Sequence, residues 1–110
     1  MPYQDLLSGL VELHVLYHAV HEEIYGLEMI EELERHGYHI SPGTLYPLLH
    51  RLTHRGYLKS REVSLGRTRR RLYRATAKGR KALAVVHHHV RELIGELKER
   101  SKQASRERGE

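Results

Sequence analysis

Two sets of side chains in this 110-residue chain could do chemistry, and neither is a nucleophile. The first is a run of six arginines between Arg61 and Arg74, REVSLGRTRRRLYR, which follows the segment SPGTLYPLLHRL. Guanidinium groups in that density repel one another unless an anion neutralises them, and they suit phosphate. The second is a set of ten histidines. His14, His18 and His21 are spaced i, i+4 and i+7, so a helix places them on one face, and His87, His88 and His89 are consecutive. Three imidazoles on one face are ligands for Zn²⁺ or a similar borderline ion, with Glu22 or a histidine of a second chain as a fourth. There is no cysteine, no glycine-rich phosphate loop and no HExxH, and the carboxylates cluster where solvated ion pairing is the ordinary outcome. Catalysis is not expected, and no residue pattern requires a cofactor.

The charge is unevenly spread. Residues 1–54 carry eight acids and two bases, residues 55–81 carry eleven bases and one acid, and residues 82–110 carry six bases and five acids. The net values, −6, +10 and +1, sum to the formal +5. A cationic block on an otherwise near-neutral chain is an electrostatic footprint for a polyanion. No apolar run approaches the ~20 residues of a membrane span. The start, MPYQDLLSGL, lacks the charged and apolar regions of a secretory signal, so a cytoplasmic setting is the expectation.

The elements that must position these residues follow from periodicity. Leu6, Leu10, Leu13, Tyr17, Val20 and Ile24 recur at four and three, predicting a helix over 4–24 with one apolar stripe. Leu27, Ile30, Leu33 and Met29 predict the inner face of a second helix ending near His36, with Gly37 just beyond its cationic last turn. Ser41 and Pro42 fit the cap and first position of a third helix to about His54, burying Leu45, Leu48, Leu49 and Leu52. Pro47 removes one helical hydrogen bond, to the Gly43 carbonyl if the helix starts at Pro42; otherwise the helix proper begins with Thr44 as its cap. Tyr57–Val63 alternates as a strand, Ser64–Thr68 is a glycine-containing turn, and Arg69–Ala75 returns. Thr76 caps a last helix running to about Arg100. In it Leu83, Val86, Val90, Leu93 and Leu97 draw a heptad seam, widened by Ile94. A helix ~37 Å long is too long for so small a domain to cover, so the expected cover is a second copy. Residues 101–110 are expected to fray.

The fold class implied is mainly α with a small β-hairpin: a winged helix-turn-helix over residues 1–81 and a C-terminal dimerisation helix over 76–100. Small residues at the start of the third helix, Ser41, Gly43 and Thr44, allow close approach to a phosphate at the positive end of the helix dipole. Tyr46 and His50 lie one turn on, and Arg51 and Arg55 follow. Arg67, Arg69, Arg70 and Arg71 of the hairpin, with Lys59 and Arg61 behind them, would neutralise backbone phosphates or enter a minor groove. Because strand neighbours alternate, Arg69 and Arg71 point one way and Arg70 the other.

The strings YGLEMIEEL, SPGTLYPLLHRL, GYL, GRTRRRLY and TAKGRKAL closely resemble PadR-type transcriptional regulators over roughly residues 6–85. The resemblance implies a homodimer that binds inverted repeats in double-stranded DNA, commonly as a repressor, with recognition-helix roles for Ser41, Thr44 and Tyr46 and a wing role for Gly66–Arg71. It also implies that the first and last helices pack together at the dimer interface, through Leu6, Leu10 and Leu13 with Leu83, Val86, Val90, Leu93 and Leu97. One C-terminal helix matches the short form of the family. A small-molecule effector belongs among the partners, its identity unspecified by any residue here. Two rival readings stand beside this one: a metal-responsive regulator using His14, His18 and His21, and a winged-helix protein-interaction module.

Overall fold

The computed structural model describes residues 3–108. In chain order they form α1 (Gln4–His21), α2 (Gly26–Arg35), α3 (Pro42–His54), β1 (Leu58–Leu65), β2 (Thr68–Ala75) and α4 (Ala77–Glu107). This is a winged helix-turn-helix with one long C-terminal helix. Among the described residues no helix is long and apolar enough to cross a membrane.

One core joins the elements. Val11, Val15, Leu16 and Ala19 of α1 meet Met29 and Leu33 of α2, the four leucines of α3, and Ile24, Leu58, Tyr73 and Ala75 at the sheet. No polar or charged residue is buried with them among the described residues. The α1 face that packs inward is therefore not the expected stripe. Leu6 is 76% exposed, and Leu10 and Tyr17 are also exposed. Val11, Val15 and Ala19, spaced at four, are the smaller apolar face, and their size lets α1 lie close to the core. Leu27 is likewise exposed rather than inward, leaving Met29 and Leu33 as the buried pair of α2.

Helix α1 stops at His21, three residues before the expected end. Glu22 is extended, and Ile24 leaves the helical stripe to form an isolated antiparallel bridge with Tyr73. Ile24 donates to the Tyr73 carbonyl at 2.9 Å and accepts from the Tyr73 N–H at 2.8 Å. The short segment thus covers the free edge of β2.

Helices α2 and α3 end in the same way. Gly37 (φ +88°) and Gly56 (φ +84°) take the left-handed conformation just past each cap. The next N–H, of Tyr38 or Tyr57, returns to the carbonyl of Leu33 or Leu52. This is the Schellman arrangement, with a tyrosine and a leucine at its two ends. At its start, α3 begins at Pro42, which settles the position of Pro47 inside the helix. Proline lacks the N–H that would bond the Gly43 carbonyl. Ser41 occupies the cap position, but its side chain makes no capping bond.

The hairpin is longer than expected and its turn tighter. Strand pairing runs from Leu58↔Ala75 to Leu65↔Thr68, leaving only Gly66 and Arg67 in the loop. Gly66 has φ +63°, as a two-residue turn with glycine first requires.

Three chain segments converge where α4 begins. The Thr76 hydroxyl donates to the Gly56 carbonyl at 2.5 Å and accepts from the Gly79 N–H at 3.0 Å. The Thr76 N–H donates to the Tyr57 carbonyl at 3.0 Å, and Lys78 Nζ donates to the Arg55 carbonyl at 2.7 Å. Gly79 is the one buried residue of α4 among those described, and a Cβ there would lie 2.2 Å from the Tyr57 carbonyl oxygen. Beyond this junction α4 runs away from the core. Leu83 and Val90 are half-buried, whereas Val86, Leu93, Ile94 and Leu97 are exposed. The helix continues to Glu107, beyond the expected end at about Arg100; the last two residues of the expected tail lie outside the described range. Its projection gives the molecule extents of 65 × 29 × 20 Å.

Replacing Gly79 by alanine should destabilise the fold by about 2–3 kcal/mol, because the clash is with backbone that cannot rotate aside. Urea unfolding of Gly79→Ala measures this. A midpoint equal to that of the parent would show that the junction yields without cost.

Candidate nucleic-acid interface

Helix α3 divides cleanly. Leu45, Leu48, Leu49 and Leu52 face the core, and Ser41, Gly43, Thr44, Tyr46, His50 and Arg51 are exposed on its other side. The Ser41 and Thr44 hydroxyls lie 3.4 Å apart across the first turn. The Tyr46 ring lies against Gly26 at the start of α2, where a Cβ would come within 2.5 Å of the tyrosine oxygen. Tyr46 is therefore held in one direction by a glycine, and it remains 41% exposed rather than entering the core. His50 and Arg55 are exposed near the other end of the helix.

The register of the hairpin sorts its cations by face. Opposed residues of an antiparallel pair share a face, so Arg69 and Arg71 lie with Ser64, Glu62 and Ser60, whereas Arg70 lies with Val63 and Leu72 beside Arg61 and Lys59. Several of these cations are positioned by neighbours. Arg61 forms a fork with Glu23, its Nε 2.7 Å and its Nη2 2.8 Å from the two carboxylate oxygens. Arg71 Nη1 donates to the Ser60 hydroxyl at 3.1 Å. The Arg70 guanidinium carbon stands 4.9 Å from the centre of the Tyr25 ring, over its face. On α3, Arg51 reaches back to Glu12 of α1 at 3.3 Å. Among the described residues, Lys59, Arg67 and Arg69 enter no ion pair.

Glu23, Tyr25 and Gly26 were not anticipated as parts of this surface. They reach it only because Ile24 bridges to Tyr73, and no local pattern in HEEIYG signals that pairing. The Arg61 hydrogen bond holds the Glu23 carboxyl below its usual range, with the charges of Arg61, Arg74 and Lys59 adding to the effect against a smaller opposing cost of burial.

The histidines group differently from the spacing argument. His14 and His18 are neighbours on α1, but the third imidazole near them is His36 from the end of α2. His21 is instead turned against Tyr17, ring centroids 4.6 Å apart. His14 is held below its usual pKa, first by burial and then by His36 and His18. The cluster lines an open groove of about 730 Å³ between α1, the end of α2 and α4, together with apolar Leu13, Tyr17, Leu83 and Val90. His88 pairs with Glu92 along α4 at 3.2 Å.

Comparison with known proteins adds an independent observation. Residues 15–85 match the model of the transcriptional regulator PadR-like family. The chain is similar to the transcriptional regulator Rv3488 of Mycobacterium tuberculosis (strain ATCC 25618 / H37Rv), with 47% identity over 94 residues, covering 86% of this chain and 88% of that protein. Among solved structures, a PadR-like transcription factor from Bacteroides fragilis superposes with a TM-score of 0.76 at 26% identity, covering 86% of this chain and 92% of the other. A PadR family transcriptional regulator from Eggerthella lenta DSM 2243 gives 0.73 at 33% identity, covering 84% and 85%.

The Glu23–Arg61 fork generates a directional prediction. A carboxylate whose folded pKa is depressed supports the fold above its unfolded pKa, and that support fades as pH falls through the lowered folded value. A carbon-13 NMR titration should place the Glu23 midpoint below the ordinary carboxylate range, moving up towards it in Arg61→Ala. An unshifted midpoint in the variant would mean that the fork does not form in solution.

Proposed function

The chain belongs to the PadR-like family of transcriptional regulators, and from that premise we propose that it is a homodimer that binds a palindromic operator in double-stranded DNA and represses transcription. It acts as a regulator and not as an enzyme. The observation that carries the DNA-binding part is the continuous exposed surface made by α3 and the hairpin, with four leucines anchoring the helix from behind and arginines arrayed beside it. In this reading residues 1–81 carry the DNA-binding unit, residues 76–100 carry the dimer contact, and the protein works in the cytoplasm.

The first turn of α3 approaches the DNA. Ser41, Gly43 and Thr44 present small groups and a helix N-terminus to a phosphate, while Tyr46 and His50 reach towards base edges or sugar. Arg67 and Arg69 at the hairpin tip, with Lys59, supply unpaired charge for phosphates. Arg70 and Arg71 are already oriented by Tyr25 and Ser60, so less side-chain freedom is lost when they bind. Arg61 and Arg51 hold Glu23 and Glu12 in the free protein, so they meet DNA by exchanging those carboxylates for phosphates.

The homodimer is supported by the apolar surface that one chain leaves uncovered. Leu6 and Leu10 on α1 and Val86, Leu93 and Leu97 on α4 are exposed, and Leu13, Leu83 and Val90 are only half-buried. Contiguous apolar surface of this kind marks an interface. Two-fold pairing along α1 and α4 would present two recognition helices, and half-sites about one DNA turn, ~34 Å, apart follow from that symmetry. The groove beside the histidines opens onto the same face and is the natural place for a small-molecule effector.

Operator sequences selected from random duplexes should contain an inverted repeat. Fluorescence anisotropy over a salt series should show Arg70→Ala weakening all duplexes alike and lowering the slope of log K against log salt by about one. A slope equal to that of the parent would take Arg70 out of the phosphate contacts. The double variant Leu93→Glu, Leu97→Glu should sediment as a folded monomer, since neither residue supports the protomer core, and should lose at least tenfold in operator affinity. A dimer surviving this change would place the interface elsewhere.

A further inference from the structure

We propose that His14, His18, His36 and Glu32 form a binding site for one divalent transition-metal ion of the borderline class, such as Zn²⁺ or Co²⁺, bridging α1 and the end of α2. The donor set is two i, i+4 pairs from two helices. His14 and His18 lie on α1, Glu32 lies on α2, and His36 is the residue that caps the C-terminus of α2. Pairs at this spacing share a helix face one turn apart, so a second such pair facing them makes a four-ligand set without any irregular loop.

The distances suit that role. One ring nitrogen from each of the three histidines lies within 4.8 Å of the other two. Glu32 Oε1 stands 3.6 Å from His18 Nε2 and 3.3 Å from His36 Nε2. Ligand atoms at 2.0–2.1 Å from a tetrahedral ion are separated by roughly 3.4 Å, so the carboxylate oxygen already sits near the position of a fourth ligand. The His14 and His36 rings are neighbours, their centroids 5.0 Å apart and their planes tilted by 31°.

The surroundings orient the donors. Arg35 bonds Glu32 through Oε2, which leaves Oε1 as the oxygen directed at the imidazoles. Tyr38 packs against the edge of His14 at 5.2 Å between centroids and limits its rotation. Such outer contacts fix ligand geometry. Both His14 and His18 are half-buried, so part of the ordering cost is met before an ion arrives. Three neutral imidazoles and one carboxylate give a net charge of +1 on the loaded site, and soft thiolate chemistry plays no part. An ion here would tie α1 to the last turn of α2, immediately before the connection to α3.

The test uses the full chain stripped with a chelator and dialysed. Titration with Co²⁺ should produce the intense visible bands of a tetrahedral site, saturating at one ion per protomer, and Zn²⁺ should displace them. Calorimetry with Zn²⁺ should give the same stoichiometry. His36→Ala and Glu32→Gln, both at accessible positions, should each weaken Zn²⁺ binding by tenfold or more, with far-ultraviolet circular dichroism of the metal-free variants unchanged. Replacing His87, His88 and His89 together by alanine should leave the titration as it is. No visible band with Co²⁺ overturns the proposal. So does binding that survives in the doubly substituted His18→Ala, His36→Ala chain, or binding that is lost with the α4 triplet.

Discussion

Everything at the functional end of this molecule hangs on one close approach, that of the Gly79 Cα to the Tyr57 carbonyl. There the end of α3, the start of β1 and the start of α4 share a few peptide groups. The Thr76 hydroxyl bonds both the Gly56 carbonyl, just past the end of α3, and the first turn of α4. Each such bond contributes about 1 kcal/mol net, so hydrogen bonding alone does not dominate. Steric necessity does. Any side chain at position 79 would force α4 away from Tyr57, and with it the stripe that is proposed to pair with a second chain. The angle between the surface proposed to face DNA and the surface proposed to face a second chain is thus set by a glycine that lies in neither.

The same surface shows two classes of cation with different physical duties. Arg51 and Arg61 are paired with Glu12 and Glu23 and hold α1 and the Glu23 segment against the sheet and α3. Both pairs are exposed, and their value lies more in orientation than in stability. Arg67 and Arg69 are unpaired at the tip of the hairpin, where potential reaches furthest into solvent. Arg70 and Arg71 stand between these cases, guided by an aromatic face and a hydroxyl while their charge stays uncompensated. A uniform arginine run in the sequence becomes a graded surface because the strand alternates its faces and only some of those faces meet partners.

Features governed by short-range chemistry were legible before the fold was known. Gly37 and Gly56 mark helix ends because the left-handed position after a cap tolerates little else, and Thr76 announces the cap of α4. The four leucines of α3 and the exposed polar face opposite them follow from a single period. Long-range pairing was not legible. Ile24 continues the α1 stripe in sequence, yet it leaves the helix because the edge of β2 takes its backbone. Two apolar faces compete on α1, and spacing alone does not say which one meets its own core; Val11, Val15 and Ala19 win because smaller side chains permit closer packing. His36 joins His14 and His18 only through the α1–α2 crossing, a relation invisible in a one-dimensional pattern.

Helix α4 is also a lever. Its 31 residues make a rod of about 46 Å, fixed at one end by the junction and carrying its apolar seam towards the other. A tilt of only about 5° at the fixed end displaces the far end sideways by about 4 Å, nearly half the roughly 8–10 Å that separates the axes of packed helices. Slight strain where the rod is hinged therefore becomes a wide gap or a clash at its tip, and the rod converts angular precision at its root into discrimination between a closed and a splayed seam.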